Sequence, residues 1–366
     1  MVAVIVVALA AVVWILSGMI GDNYRIPQPE AGYPMTITSA DATRVAYTGV
    51  PSGWTDQGLY AIATPDGGYA LTADPAVGTD GTGARTVTDQ VSGPTLAEGQ
   101  KAALDGWYFG ADPSAVLGLP FEEVTYDSPL GATPAWLIPG ESDTWVVYAH
   151  GRSDTPAQGL RMAATFADLG YPMLLIRYRN DAGAPAGSGY GQHGVDEWPD
   201  IEAAVQYALD KGATTIVLAG TSMGAAAELA FLESSPLADR VVGAVFDAPA
   251  VNTEATVDKA AGDMGVPGFV MSLAKTVASW RFGLDWTGMD YVSRAAAFET
   301  PMLITQGSED GTALPERAAA FAAAATPDNV QLEVFEGAGH TLAWNMEPER
   351  YDTVLAGFLG AVTATQ

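Results

Sequence analysis

Six short, almost uninterrupted aliphatic runs constrain the fold of this 366-residue chain more than any other feature. In chain order they cover residues 144–149, 172–176, 215–219, 241–246, 301–305 and 330–335. Strands buried on both faces have this composition, because the sheet that contains them is covered by helices on each side. Helical stretches lie between the runs, and this alternation predicts an α/β domain with a mainly parallel sheet and helices on both faces.

The composition changes along the chain and divides it into segments. The strand–helix alternation begins near residue 118, so we expect one α/β domain over residues 118–366. Residues 23–117 are instead rich in Gly, Thr, Asp and Pro, with short alternations of apolar and polar residues between turn clusters. This pattern predicts a small β-rich accessory segment. Within it, residues 96–109 are expected to form one helix.

The first twenty-odd residues are apolar and uncharged. As a helix, Val2 to Ile20 would span roughly 28 Å, about the hydrocarbon thickness of a bilayer. We expect residues 1–22 to be a single-pass transmembrane anchor; a cleaved signal peptide and a buried core helix are the alternatives. A signal peptide has a basic region before its apolar run, and none precedes this one.

The orientation of this anchor follows from weaker signals. Arg25 is the only basic residue shortly after the span, which by the positive-inside rule leans toward a cytoplasmic main domain. An N-terminal anchor with an external domain is the commoner arrangement, and we expect the main domain to be extracytoplasmic.

Composition excludes several classes of partner and site. The formal net charge of -27 repels nucleic acid and anionic headgroups, so nucleic acid is not an expected partner. The absence of cysteine removes disulfides and cysteine-ligated zinc. Only three histidines exist, which makes a histidine-rich metal site hard to build: His150, His193 and His340. A glycine pattern at residues 189–194 does not directly follow a strand, as a dinucleotide site requires, and we predict no metal and no cofactor.

A Gly-Thr-Ser-Met-Gly turn at residues 220–224 follows the third aliphatic run and precedes a helix of small residues. A serine on a sharp strand-to-helix turn is exposed for nucleophilic attack, and the flanking glycines let other backbone approach. We predict Ser222 as the nucleophile and the amide of Met223, at the helix N-terminus, as an oxyanion donor. The alternative is a structural turn with an incidental serine.

A serine near neutral pH needs a base, and the base needs a group that orients it. His340 follows the sixth run after Gly337-Ala338-Gly339, and we predict it as the base. Asp310 follows the fifth run and is the predicted acid, with Asp247 and Glu309 as rivals. The order Ser, Asp, His is the chain order of the nucleophile-elbow hydrolases.

The loop after the first run carries His150-Gly151-Arg152. We predict that the amide of Arg152 is the second oxyanion donor. His150 is expected to shape this loop, with a role as the base as the alternative.

Four motifs together resemble the landmarks of the alpha/beta-hydrolase superfamily: residues 147–151, 220–224, 305–310 and 337–340. The resemblance covers roughly residues 120–365 and implies an alpha/beta-hydrolase fold. Within the superfamily the chain is similar to membrane-anchored bacterial hydrolases related to the prolyl-oligopeptidase and dienelactone-hydrolase branches. Members share the fold and differ in substrate, so the resemblance implies cleavage of an acyl bond and no particular ester or amide.

The fourth and fifth runs are separated by an insertion over residues 251–300 that is rich in methionine and aromatic side chains. It is interpreted as a helical lid over an apolar substrate site, with Met271, Trp280 and Trp286 contacting the substrate. Ordinary core packing of extra helices is the alternative, since methionine suits both settings.

These features predict a serine hydrolase that acts without a metal on a small-molecule acyl substrate, a carboxylic ester, through an acyl-enzyme intermediate. A peptidase or an acyltransferase would use the same three residues. A non-catalytic, membrane-tethered binding protein on the same scaffold is the alternative of a different class, and a complete triad argues against it.

Overall fold

The N-terminal region of the computed structural model is one long helix, docked on the protein over its second half. The structure describes residues 2–26, 32–50, 58–77, 82–327 and 329–363. Helix α1 covers Val2–Tyr24. Its second half contains four buried apolar side chains and one buried hydroxyl: Val13, Leu16, Ile20, Tyr24 and Ser17. Most of the described side chains before Val13 are exposed.

The accessory segment contains a closed antiparallel barrel of six strands in the order β1-β2-β5-β4-β3-β6. The strands are β1 (Met35–Ala40), β2 (Arg44–Thr48), β3 (Tyr60–Ala63), β4 (Tyr69–Val77), β5 (Thr82–Ser92) and β6 (Lys101–Asp105). Alternate side chains fill the interior, as the two-residue period of a strand requires; among them are Met35, Ile37, Val45 and Tyr47. A short helix, α2 (Pro113–Leu117), follows the barrel.

The prediction of a single helix over residues 96–109 is wrong. The centre of that stretch is β6, which closes the barrel by pairing with β1 and with β3. Ala102 and Leu104 point into the barrel core, while the residues between them are less buried. The hydrogen bonds and burial available between two strands outweigh the intrinsic helix preference of these alanines and this leucine.

The second body is an eight-stranded sheet in the order β14-β13-β12-β11-β9-β10-β8-β7. Its strands are β7 (Glu122–Ser128), β8 (Gly131–Ile138), β9 (Thr144–Ala149), β10 (Met173–Ile176), β11 (Thr215–Thr221), β12 (Val241–Asp247), β13 (Met302–Gly307) and β14 (Val330–Phe335). The six predicted runs are the six mutually parallel strands. Strands β7 and β8 add an antiparallel edge.

Helices cover both faces of this sheet, which confirms the predicted α/β class. Along β9, Val147 and Ala149 belong to the core on one face, whereas Val146 and Tyr148 belong to the core on the other. The helices are α3 (Leu160–Asp168), α4 (Trp198–Asp210), α5 (Met223–Ser234), α6 (Thr253–Asp263), α7 (Gly268–Phe282), α8 (Pro315–Ala324), α9 (Ala343–Met346) and α10 (Pro348–Thr363).

The insertion over residues 251–300 is helical and contains α6 and α7. The apolar side chains of α6 and α7 form a separate core with the second half of α1. Residues near the two ends of the insertion belong instead to the core on one face of the sheet: Val251, Tyr291, Ala295 and Phe298. The members on α7 are Val270, Met271, Ala274 and Ala278. Helix α1 is therefore part of the same body as the insertion.

Asn345, in α9, ties the barrel to the α/β domain. Its Nδ2 donates to the carbonyl oxygens of Leu59 and Gly106, each at 2.6 Å, and its Oδ1 accepts from Arg161 at 2.8 Å. The side chain is buried, so none of these groups can turn to water instead.

We predict that Asn345→Ala lowers the free energy of unfolding by about 2–4 kcal/mol, because it leaves buried donors and acceptors without partners. Urea unfolding of the detergent-solubilised protein, followed by tryptophan fluorescence, measures the change. Gln331→Ala, at an exposed amide, is the matched control and should stay within about 0.5 kcal/mol of wild type. Equal unfolding midpoints for the two variants would contradict the role given to Asn345.

Candidate active site

Ser222 occupies a strained turn between β11 and α5. Its φ of 52° and ψ of -111° lie outside the favoured regions for a residue with a side chain. The flanking glycines are required by close approach: a Cβ on Gly224 would lie 2.1 Å from the carbonyl oxygen of Ala149, and one on Gly220 would lie 2.7 Å from the amide of Ala225. The sequence at this turn therefore has the composition that its geometry demands.

His340 links the serine to a buried carboxylate. Its Nε2 lies 3.0 Å from Ser222 Oγ, and its Nδ1 lies 2.7 Å from Asp310 Oδ2. With Nδ1–H donating to the carboxylate, Nε2 presents a lone pair to the serine hydroxyl. The structure thus brings the three predicted residues into one hydrogen-bonded relay.

Asp310 is held in place by its own loop. Its Oδ1 accepts from the amides of Thr312 and Ala313, at 2.7 and 2.8 Å, and its Oδ2 also accepts from Gln306 Nε2 at 3.1 Å. These bonds fix the carboxylate so that the remaining acceptor direction is occupied by His340.

The two rival acids lie elsewhere. Asp247 is buried, and its Oδ1 accepts from Thr305 at 3.1 Å while its Oδ2 lies 3.7 Å from the guanidinium of Arg161. Burial raises the pKa of Asp247, and the charge of Arg161 partly opposes that rise. Glu309 is exposed. Of the three acids considered, only Asp310 contacts His340.

His150 shapes the loop after β9. Its Nε2 lies 2.9 Å from Asp181 Oδ2, and its Nδ1 lies 2.8 Å from the Gly151 carbonyl oxygen. The hydroxyl of Tyr178 donates to the backbone carbonyl of His150 at 2.7 Å. Burial lowers the pKa of His150, but the charge and hydrogen bond of Asp181 outweigh it and raise that pKa overall. Both ring nitrogens face acceptors, so the imidazole has no free lone pair for a serine.

Of the two predicted oxyanion donors, Met223 follows Ser222 in the chain and Arg152 lines the same cavity as Ser222. The amide of Gly151 donates to Gln158 Oε1 at 2.7 Å. Within the described ranges, no hydrogen bond is formed by the amides of Met223 or Arg152. Both are thus free to bind a developing negative charge, and their role in catalysis stays a prediction.

Ser222 and His340 open into a cavity of about 570 Å³. One side is polar and includes Arg152, Asp154 and His193. The lining contributed by α1 and the insertion is mainly apolar and includes Leu16, Met19, Ile20, Val257, Met264 and Met271. The transmembrane candidate is therefore a wall of this cavity, which the sequence pattern did not indicate.

Of the three predicted substrate contacts, only Met271 lines the cavity. Trp280 is 78% exposed, and Trp286 packs edge-on against Tyr24 with its Nε1 donating to the carbonyl of Lys275. Nine residues separate Met271 from Trp280, or about two and a half helical turns, so they point to opposite sides of α7. Neither Trp280 nor Trp286 lines the cavity, so the prediction that they contact the substrate is wrong.

Arg161 is a positioning residue that sequence reasoning missed. It is buried in α3 and donates to the carbonyl of Thr341, directly after His340, as well as to Asn345. Thr341 has a φ of 58°, so the loop that carries the imidazole is strained and needs such a restraint. An arginine among the apolar residues of α3 was the available signal.

The glycine-rich stretch at residues 189–194 packs against the end of α1. Gly191 donates its amide to the carbonyl of Tyr24 at 2.7 Å. Glu197 holds the stretch by accepting from the amides of Gln192 and Gly194 at 2.9 and 2.8 Å. Burial raises the pKa of Glu197 to about 7, against the opposing effect of these two amides.

Comparison with known proteins agrees with this architecture. Residues 161–364 match the prolyl oligopeptidase family. No curated protein matches the sequence. The chain is similar to the Pyrococcus furiosus esterase Pf2001, with 20% identity, a TM-score of 0.53 and coverage of 69% of this chain and 96% of that one. It is similar to a putative hydrolase from Bacillus subtilis, with 16% identity, a TM-score of 0.50 and coverage of 67% and 94%. These likenesses confirm the alpha/beta-hydrolase fold.

We predict that Asp310→Asn lowers kcat by about 10³- to 10⁴-fold, because the amide no longer holds the required tautomer of His340. Asp247→Asn should lower kcat by less than about tenfold, since the side chain of Asp247 contacts neither Ser222 nor His340. Hydrolysis of p-nitrophenyl acetate, normalised to folded protein, measures both. A large loss in Asp247→Asn with little loss in Asp310→Asn would assign the acid to Asp247.

Glu197 makes stability depend on pH. Its folded pKa lies above the unfolded value, so its contribution is complete below about pH 4.3 and is lost as pH rises through about 7. We predict that Glu197→Gln, which resembles the neutral acid, gains on the order of 2 kcal/mol relative to wild type between pH 5 and pH 8.5. Urea unfolding at both pH values measures this; the exposed Glu98→Gln is the control and should show no such gain. A constant difference between Glu197→Gln and wild type would refute the linkage.

Proposed function

We propose, on the premise that this chain belongs to the prolyl oligopeptidase family, that it is a serine hydrolase that cleaves carboxylic esters through an acyl-enzyme on Ser222. The relay from Ser222 through His340 to the buried Asp310, at 3.0 and 2.7 Å, carries the proposal. A non-catalytic scaffold has no need of this arrangement, in which a strained serine, an oriented imidazole and a fixed carboxylate coincide.

The proposed reaction has two halves. Ser222 Oγ attacks the ester carbonyl while His340 Nε2 takes its proton, and the amides of Met223 and Arg152 bind the oxyanion. The tetrahedral intermediate collapses, the C–O bond to the alcohol breaks, and His340 returns the proton to the leaving alkoxide. Water then repeats the sequence on the acyl-enzyme and releases the acid. Asp310 orients the imidazole and stabilises its charge in both halves.

An ester is favoured over a peptide by the apolar wall of the cavity that Ser222 also lines. This wall is built from Leu16, Met19, Ile20, Met264 and Met271 and suits an acyl chain, because it offers apolar contact and few hydrogen-bonding groups. A peptidase is the second candidate, and the family to which the chain belongs favours it.

Membrane attachment through α1 is part of the proposal. Within the described part of the chain, the helical stretch Val6–Tyr24 is long and apolar enough to cross a bilayer. A cleaved leader would have the same composition, but the second half of α1 lines the catalytic cavity, which supports a retained helix. We place the catalytic domain outside the cytoplasm, the commoner arrangement for an N-terminal anchor.

We predict that a fluorophosphonate probe labels the wild-type protein and fails to label Ser222→Ala, because the probe reports an activated serine. The probe is applied to detergent-solubilised full-length protein and detected by intact mass. Ser153→Ala, a serine on the oxyanion loop whose Oγ has no partner among the described residues, is the matched control and should be labelled like wild type. Equal labelling of Ser222→Ala would place the nucleophile elsewhere.

The same preparation separates an esterase from a peptidase. The p-nitrophenyl esters of increasing acyl length are compared with p-nitroanilide amides of amino acids. A kcat/KM that rises with acyl length supports the apolar wall as the acyl site, whereas a preference for the aminoacyl amides would establish the peptidase reading.

A further inference from the structure

The outward side of α7 presents large apolar side chains to the surroundings. Phe269, Leu273 and Trp280 are 64%, 47% and 78% exposed. Ser272 and Leu273 follow Phe269 by three and four residues, Thr276 follows them by four and three, and Trp280 follows Thr276 by four. The five residues therefore form one continuous face of the helix, which we call the α7 stripe. Exposed apolar patches of this kind mark a surface that contacts another phase or partner.

The α7 stripe carries no charge, and both of its hydroxyls are hydrogen-bonded within the helix. Ser272 Oγ donates to the carbonyl of Gly268 at 3.0 Å, and Thr276 Oγ1 donates to that of Ser272 at 2.9 Å. Hydroxyls bonded to their own helix in this way are compatible with hydrocarbon, which cannot accept hydrogen bonds. A protein-binding face would offer polar groups at its rim, so the observations favour lipid.

Both cations of α7 are turned away from the stripe. Lys275 is buried and pairs with Glu254 at 2.6 Å and Asp258 at 2.7 Å. Arg281 donates to the Trp14 carbonyl and to Ser17 Oγ of α1, and its guanidinium lies 3.9 Å from the centroid of the Trp14 ring. These contacts compensate the charges that a lipid environment would otherwise penalise.

The length of α1 requires α7 to share its environment. Crossing the hydrocarbon takes about 20 apolar residues, which matches the uncharged stretch 2–21. The free half, residues 2–12, reaches only about 16 Å at 1.5 Å per residue. With α1 across the bilayer as proposed above, the half that packs on α7 also lies within the bilayer, and it brings the α7 stripe into contact with lipid.

We propose that α1 and α7 together form a face embedded in the bilayer, and that the catalytic cavity takes its substrate, a long-chain acyl ester, from the lipid phase. The identity of the substrate rests on the proposed esterase function, whereas the embedded face rests on the proposed membrane attachment of α1 and not on the reaction. Leu16, Met19 and Ile20 of α1 are both next to this face and part of the cavity wall, so an acyl chain has a continuous apolar path from lipid to Ser222.

The experiment uses the full-length protein in vesicles of zwitterionic phosphatidylcholine. The stripe variant carries Phe269→Ser, Leu273→Ser and Trp280→Ser. The control variant carries Leu130→Ser, Leu169→Ser and Val334→Ser, three exposed apolar residues of the α/β domain at 42–44% exposure. Each is assayed on water-soluble p-nitrophenyl acetate and on 4-methylumbelliferyl palmitate dissolved in the vesicles.

The stripe variant should hydrolyse the acetate like wild type and lose about tenfold or more on the vesicle-borne palmitate, because membrane contact scales with inserted apolar area. The control variant should match wild type on both substrates. Equal palmitate hydrolysis by the stripe variant and wild type would overturn the proposal. Conversion of a detergent-soluble dimer to a monomer by the stripe variant would also overturn it and make the face a contact between copies.

A second readout is independent of catalysis. Brominated phosphatidylcholine should quench the fluorescence of wild type more than that of Trp280→Phe, because Trp280 contacts the acyl chains. Equal quenching would exclude lipid contact at the stripe whatever the enzyme does. If neither ester is hydrolysed and quenching is as expected, the proposed function fails and the embedded face stands.

Discussion

The positive φ of Ser222 is the constraint on which the site depends. A conformation of this kind costs about 1–3 kcal/mol and persists only where the surroundings hold it. Here the backbone amide of Ser222 donates to the backbone carbonyl of Asp247, at the end of β12, at 2.9 Å. The carbonyl of Ser222 accepts from the amide of Ala250 at 3.2 Å. The parallel sheet thus fixes the turn through the neighbouring strand, and the glycines at 220 and 224 let β9 and α5 approach it.

The second strained element is the loop that carries His340, and buried Arg161 restrains it. One guanidinium contacts the carbonyl of Thr341, the amide of Asn345 and, at 3.7 Å, the carboxylate of Asp247. Asn345 in turn binds two carbonyls of the barrel segment. Since a buried charge is tolerated only when its partners are all present, the barrel, the imidazole loop and the end of β12 are held as one unit. This gives the accessory barrel a structural part in the site.

Local pattern was sufficient for the central sheet and for the relay. Strands buried on both faces are mostly aliphatic, and the serine turn is flanked by glycines. Strands β9 to β14 and the Ser222 turn could therefore be predicted from short stretches of sequence. The acid was less determined: Asp247 and Asp310 both end strands, and only the contacts of Arg161 and His340 distinguish them. The local sequence of residues 96–109 predicts a helix, but its centre forms β6 because it pairs with β1 on one side and with β3 on the other.

The role of α1 could not be read from its sequence because it is a property of two helices. A uniformly apolar sequence shows that a helix is long enough to cross a bilayer, but it does not show which side of the helix packs against protein. The side is set by α7, whose inward residues include Met271 and whose outward residues include Trp280. Both are large apolar residues of the insertion, yet they lie on opposite sides of the helix. An interpretation by composition alone therefore assigns both to substrate.

The charge of the protein also favours an apolar mode of membrane contact. With a formal charge of -27, the domain is repelled by anionic headgroups within a Debye length of about 8–10 Å. Attraction through basic residues is therefore not the force that brings the cavity to the lipid. The uncharged α7 stripe acts at contact distance, where burial of apolar area at roughly 25 cal/mol per Å² outweighs screened repulsion between distant charges.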